Sequence, residues 1–357
     1  MLNPIRLKPA EGEILSSFII RTSIVTGTDP LGFSGAIWPN KRIWTSDIDR
    51  AMSDEDLLLL SKATGIEIHN LQNLTLNHKL SKLFKTIPPT LAAWDWIIPI
   101  SSRNRSRVNG LHYCSDCIKE QTTYFRLNWR IAWNVACEKH KCLLSISCPK
   151  CNTVISPHLI NYLSTDLATC VKCQHDLTSV KRKMANPKVI QLQRLLNDAM
   201  HNKKVTYPWG ITEKIEFFST INALTSFIQK TRSVKSLAEK LFHSLGTIDS
   251  NLTLPPNSQI RFINQPVSER HFILLNCSVL LDMPLNDVRE LFREINLRPS
   301  LLIQKSSHYF SETFDSIYRS LEKNTHERSK SSKNSKPIKP RKKDEVDKLW
   351  NEIKCFL

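Results

Sequence analysis

Cys114-Ser115-Asp116-Cys117, Cys137-Glu138-Lys139-His140, Cys148-Pro149-Lys150-Cys151 and Cys170-Val171-Lys172-Cys173 are four pairs of metal-type ligands, each pair separated by two residues. Nineteen residues lie between the first two pairs and 18 between the last two. Side chains at this spacing reach one tetrahedral ion from a single tight turn, and a second pair completes the shell. The pattern predicts two structural zinc ions per chain. Cys114, Cys117, Cys137 and His140 would hold the first, and Cys148, Cys151, Cys170 and Cys173 the second. Both shells are filled by protein, whereas a catalytic zinc keeps a position open. An enzyme with Cys137 as nucleophile and His140 as base is the competing reading. It is disfavoured because two more cysteines stand ready to fill that shell. Cys142, His112, His158 and His175 are close enough in sequence to replace a ligand.

The rest of the chain bounds the class. Its 357 residues are 41% hydrophobic and 23% charged, the balance of a folded protein of two or three domains. It lacks the run of about 18 apolar residues that a spanning helix needs. The start, Met1-Leu2-Asn3-Pro4-Ile5-Arg6, has no apolar stretch and soon meets Glu11 and Glu13, unlike a secretory signal. A bacterial cytoplasmic protein, nucleoid-associated when bound, is therefore expected. In that reducing setting the ten cysteines read as ligands and buried thiols. Cys277, between Leu274, Leu275 and Leu280, reads as a core thiol, and Trp129 and Trp133 as core aromatics. The eight glycines form neither a GxxxxGK[ST] loop nor a GxGxxG turn, which argues against a nucleotide hydrolase.

The net charge of +17 is unevenly placed. Residues 1–100 sum to zero, 101–182 to +7, 183–325 to +5 and 326–357 to +5. Such a surface attracts polyanions by releasing their counterions. The Arg103, Arg105 and Arg107 loop is expected to contact DNA phosphates, as are Arg289 and Arg293 on the outer face of a helix.

Periodicity predicts a mainly α fold. A helix is expected from Glu13 to Gly27. Ser53 should cap a second, broken at Thr64-Gly65 and resumed through Leu76, which is a helix-turn-helix outline. A further helix is expected over Val234–Gly246, and a second helix-turn-helix outline over Ser268–Leu297, broken at Met283-Pro284. This yields a helical, helix-turn-helix-like N-terminal domain (1–100), a tandem zinc-knuckle or ribbon domain (101–182) and a helical C-terminal domain (183–325). A basic disordered linker (326–343) and a terminal amphipathic helix (344–357) follow. Leu349, Trp350 and Ile353 line the apolar stripe of that helix and are expected to dock on a partner.

Three stretches resemble the TniQ/TnsD family of transposon target-selection proteins. Glu13-Ile14-Leu15-Ser16-Ser17-Phe18-Ile19-Ile20-Arg21 resembles its E-S-L-x-S-F/W-L-x-R signature, with Ile14 where serine is usual. Leu60-Ser61-Lys62-Ala63-Thr64-Gly65-Ile66 through Leu74-Thr75-Leu76 is similar to its L-T-G-L-S…L-T-L helix pair. Phe125-Arg126-Leu127-Asn128-Trp129, Cys137 to His140, Leu144 and Cys148 to Cys151 resemble its zinc core. The resemblance implies a non-enzymatic adaptor that marks target DNA and recruits an AAA+ ATPase regulator, which brings in the transposase. Some relatives read an attachment site directly. Others dock, often as homodimers, on an RNA-guided Cascade-type CRISPR complex, the branch the modest length favours. A zinc-containing helix-turn-helix transcriptional regulator is the alternative from another class.

Overall fold

The computed structural model describes residues 7–83, 94–100, 109–120, 123–160, 166–247, 260–302 and 311–331. Among them are thirteen α-helices and one two-stranded hairpin, so the fold is mainly α as expected. The N-terminal part holds α1 (Leu15–Val25), α2 (Pro30–Ile37), α3 (Ile48–Ala51), α4 (Asp54–Thr64), α5 (Ile68–Gln72) and α6 (Leu76–Leu80). α1 starts two residues later than its apolar period suggests, because Glu13 and Ile14 are extended. Glu13 bridges Arg126, and the Ile14 N–H donates to the Phe125 carbonyl at 3.0 Å. Leu15, Phe18 and Ile19 then turn inward and are fully buried. Ser53 caps α4 by accepting from the Asp56 N–H at 3.2 Å, and Gly65 ends it in the left-handed conformation (φ 71°). α5 is only five residues long, so the first helix-turn-helix outline has a stub where a reading helix would lie.

After α7 (Ser115–Lys119) and the cysteine-rich segment comes α8 (Pro187–Ala199). A hairpin follows, β1 (Lys204–Tyr207) antiparallel to β2 (Gly210–Glu213) with Lys204 opposite Glu213. Then come α9 (Lys214–Arg232), α10 (Lys235–Ser244), α11 (Val267–Asp282), α12 (Leu285–Glu294) and α13 (Glu312–Ser331). α9 is the hub of this half, touching α10, α11 and α13, while α11 also packs on α8. The break between α11 and α12 falls at Met283-Pro284 as expected, with Met283 extended. α13 differs from expectation, since it runs through Ser331, six residues into the stretch read as linker. Phe314, Ile317 and Leu321 anchor its first half in the core. Once those turns are docked, each further residue adds one hydrogen bond, and the helix propagates into polar sequence. Residues 332–343 of that linker and the terminal helix at 344–357 lie outside the described residues.

Backbone hydrogen bonds join the chain on either side of residue 100. Ile98 N–H donates to Arg130 O (3.0 Å), Ala132 N–H to Trp96 O (2.7 Å) and Leu127 N–H to Gly12 O (2.8 Å). The central tie is Arg130, 1% exposed, whose guanidinium meets Asp47 at 2.7 Å and Asp49 at 2.9 Å and donates to the Ile98 carbonyl. Asp49 in turn accepts from the Ser16 N–H (2.7 Å) and hydroxyl (2.9 Å) in the first turn of α1. Burial lifts the Asp49 carboxyl to about 6, although Arg130 and Ser16 both favour its anion. Removing one partner from such a cluster strands the other charge. Arg130→Met is therefore expected to cost about 3–5 kcal/mol in urea unfolding, and adding Asp49→Asn should recover part of it. A loss below about 1 kcal/mol would mean the cluster is solvated and holds nothing.

Candidate metal centres

The cysteine-rich segment repeats one turn three times. After each of the pairs Cys137/His140, Cys148/Cys151 and Cys170/Cys173, the next residue has positive φ: Lys141 (54°), Asn152 (54°) and Gln174 (57°). In each turn that residue's N–H returns to the carbonyl of the first ligand, at 2.8, 2.9 and 2.9 Å. The first ligand's own N–H donates to the residue five on, Cys142, Thr153 or His175. Flanking residues pair as isolated bridges, Ala136 with Leu143, Ser147 with Val154 and Thr169 with Asp176. The pair Cys114/Cys117 departs from this form, because it lies at the start of α7.

These turns gather the ligands into two groups of four, each with its ligand atoms within 4.8 Å of one another. In the first, His140 Nδ1 is 3.4 Å from Cys114 Sγ, 3.4 Å from Cys117 Sγ and 3.5 Å from Cys137 Sγ. In the second, Cys148 and Cys173 Sγ are 3.6 Å apart, and Cys151 and Cys170 Sγ 3.7 Å. A tetrahedral ion with bonds of about 2.0–2.3 Å sets its ligand atoms roughly 3.3–3.8 Å apart, so both groups fit one such ion. Within the first, Cys114 is the preferred thiolate, held far down by hydrogen bonds from Cys117, Cys137 and Cys142. In the second, the Thr153 hydroxyl, 3.3 Å from Cys151 Sγ, lowers that thiol to about 6.

Of the four substitute ligands, only Cys142 is near, 3.6 Å from Cys114 Sγ. It groups with Cys114 and Asp116 rather than with the other three ligands of the first centre. His112 is buried against Arg270, His158 stacks on Trp44 with ring centroids 5.3 Å apart, and His175 Nε2 lies 3.1 Å from Ser179 Oγ. The ligand spacing gives no sign of Glu120. Its Oε1 is 3.2 Å from His140 Nε2, the nitrogen facing away from the sulfurs, and also binds Lys139. Such a carboxylate orients a ligating imidazole and makes it more basic. α8 braces the site from behind. Gln193 Oε1 accepts from Val135 and Ala136 N–H at 3.1 Å each, and Asn197 accepts from Trp133 Nε1 at 2.9 Å. Trp129, Trp133 and Cys277 are all buried, as core residues should be.

Of the cations expected to contact DNA, Arg289 and Arg293 lie among the described residues. Arg103, Arg105 and Arg107 lie outside the described residues, as do Leu349, Trp350 and Ile353. Arg289 does not stand free on the outer face of α12. It is half-buried, donating to Asn286 Oδ1 (2.8 Å) and to Ser316 Oγ (3.2 Å) on α13, which packs beside it. Arg293 is exposed, but among Asp287, Glu290 and Glu294. Exposed lysines lie on and after the knuckle turns, at Lys139, Lys150, Lys172, Lys181 and Lys183.

Metal analysis of the purified chain is expected to give two ions. Cys148→Ser should release one of them, and Cys142→Ser neither. Glu120→Ala should weaken the first ion roughly 10–100-fold and spare the second, as read by competition with a chelator. Equal weakening of both centres, or release on replacing Cys142 but not His140, would contradict the ligand sets.

No curated protein sequence matches the chain. The TniQ family model matches residues 4–144, a span from the N-terminal extended segment through α1–α7 to the first knuckle turn. That span contains the Glu13–Arg126 bridge, the Arg130 cluster and all four ligands of the first centre. Residues 4–144 are thus a TniQ domain, the domain of a transposition-associated adaptor family.

Proposed function

We propose that the protein is a transposition target-selection adaptor, in which two structural zinc ions hold a basic knuckle segment against target DNA. The observation that carries this is the pairing of a TniQ domain with two closed four-ligand groups. Closed shells leave no open position for a substrate, and thiolates with imidazole suit zinc. Lys139, Lys150, Lys172, Lys181 and Lys183 are the phosphate contacts in this reading, joined by Arg103, Arg105 and Arg107. Arg293 is a lesser contact. Contacts of this kind position a protein on a duplex without reading its sequence. That suits an adaptor guided to its site by an RNA-directed Cascade-type complex better than a direct reader of an attachment site. The terminal segment, through Leu349, Trp350 and Ile353, is the dock for the AAA+ ATPase regulator that brings in the transposase. Among the described residues no helix is long and apolar enough to cross a membrane.

Two measurements test this. Replacing Lys150, Lys172, Lys181 and Lys183 together by glutamine should weaken binding to all DNA sequences alike. It should also flatten the plot of log affinity against log salt by about 0.9 for each phosphate that is no longer neutralised. Deleting residues 344–357 should abolish capture of the ATPase regulator and leave thermal stability and DNA affinity unchanged. A salt slope indifferent to the four lysines would make the protein a purely protein-docking adaptor. Capture that survives the deletion would place the ATPase dock elsewhere.

A further inference from the structure

Arg126 pairs with Glu13 through its backbone and is pinned on both sides. Leu127 N–H donates to Gly12 O (2.8 Å), and Trp129 N–H donates to Arg126 O (3.1 Å). The Arg126 guanidinium lies 5.1 Å from the centre of the Tyr124 ring and 5.9 Å from that of Trp129. Tyr124 is itself tied down, its hydroxyl donating to the Glu11 carbonyl at 3.1 Å, and Arg21 lies 6.0 Å from the same ring. The two arginines differ in one respect. Arg21 has Glu13 as counter-ion at 2.6 Å, whereas among the described residues Arg126 meets no carboxylate and its five N–H donors reach no protein acceptor. Its side chain is half-buried, yet its nitrogens remain open to solvent.

That open fork lies on a cleft of about 370 Å³ beside the first metal centre, with Asn128 and Lys139 on the same wall. Lys79 Nζ donates to Asn128 Oδ1 at 2.9 Å and, like Arg126, has no carboxylate partner among the described residues. Glu138 is the acidic side chain of the cleft. Its charge is answered by Arg194 at 3.7 Å and by the Gln193 and Asn197 amides at 3.2 and 2.8 Å. Lys139 is held by Glu120 at 2.6 Å, so the uncompensated charges here are Arg126 and Lys79. A guanidinium held by rings offers a rigid edge of paired N–H groups, which matches two oxygens of a phosphate or carboxylate. Continuity favours phosphate, because Lys139 joins this cleft to the other knuckle lysines and residues 101–182 carry +7. We propose that Arg126 is a preset anchor for one backbone phosphate of duplex DNA, with Lys79 as a second contact at the Asn128 wall. Resting on the DNA-contacting role proposed above, this gives Arg126 the task of fixing the orientation of the complex. The exposed lysines end in freely rotating point charges that fix none.

The test measures binding of the full, metal-loaded chain to a duplex of arbitrary sequence over a range of salt. Arg126→Gln should weaken binding at least about tenfold, the effect of losing one charge-assisted hydrogen bond. It should also flatten the plot of log affinity against log salt by about 0.9. Arg126→Lys keeps the charge without the fork, so it should restore the slope and only part of the affinity. Lys79→Gln should flatten the slope by about 0.9 as well, and it decides the matter if Arg126→Gln fails to fold. Wild-type affinity and slope in Arg126→Gln would overturn the proposal, as would full recovery in Arg126→Lys. Where Arg126→Gln does not fold, an unaltered slope in Lys79→Gln overturns it. If the four knuckle lysines still set the slope in that event, the DNA-contacting role survives and the fork belongs to an acidic protein segment. A slope indifferent to all of them removes both.

Discussion

Two four-ligand junctions lie at the centre of a stretch with little regular secondary structure. Between residues 109 and 186 the described chain has one five-residue α-helix, three 3₁₀ turns and isolated bridges, without a continuous strand. Local hydrogen bonding of that extent cannot offset the entropy of ordering the backbone. Eight ligands converge at two points, and an ion held at each would supply folding free energy to such a segment. The aromatic and aliphatic core then has a surface to close on. Trp133 packs against Trp96 and Phe218, with ring centroids 5.4 and 5.2 Å away, joining the knuckles to the chain on both sides.

The opening signature acquires a physical meaning in this setting. Glu13, Ser17 and Arg21 succeed one another at spacings of four, so they share one face of α1 and its entry. Glu13 accepts from the Ser17 hydroxyl at 2.8 Å and from Arg21 at 2.6 Å, and Ser17 Oγ accepts from the Phe125 N–H at 3.0 Å. The three polar residues of the motif are thus the seam along which α1 lies on the knuckle segment. Ile14, standing where serine is usual, occupies the N-cap of α1 without a side-chain cap bond and is buried instead. This chain gives up a hydroxyl cap there and gains apolar packing.

What is legible in the sequence is local, and what is not is distant. The ligand pairs announce themselves within four residues, and the Ser53 cap and Gly65 stop within a helix. α9 shows no clear period because it is apolar on most sides, with Phe217, Phe218, Ile221, Leu224, Phe227 and Ile228 all buried. The hairpin around Tyr207-Pro208-Trp209-Gly210 has strands too short to stand out, although Val205 and Tyr207 alternate inward from Lys204 and Thr206. Arg289 falls on the polar side of its own helix, and nothing near it in sequence says that α13 will cover it. The Arg130 cluster joins residues 81 and 83 apart, and the Arg270–His112 contact joins residues 158 apart. No spacing rule reaches that far.

The seam between α1 and the knuckle segment also sets an order of events at the ribosome. Ser17 and its partner Phe125 are 108 residues apart. At roughly 5–20 residues per second, α1 is complete roughly 5–20 s before the segment it must pair with exists. During that interval the Ser17 hydroxyl has no Phe125 N–H to accept from. Until then α1 has α2 and α3 to pack on, but not the Pro157–Leu159 turn that it also touches, which is made later still.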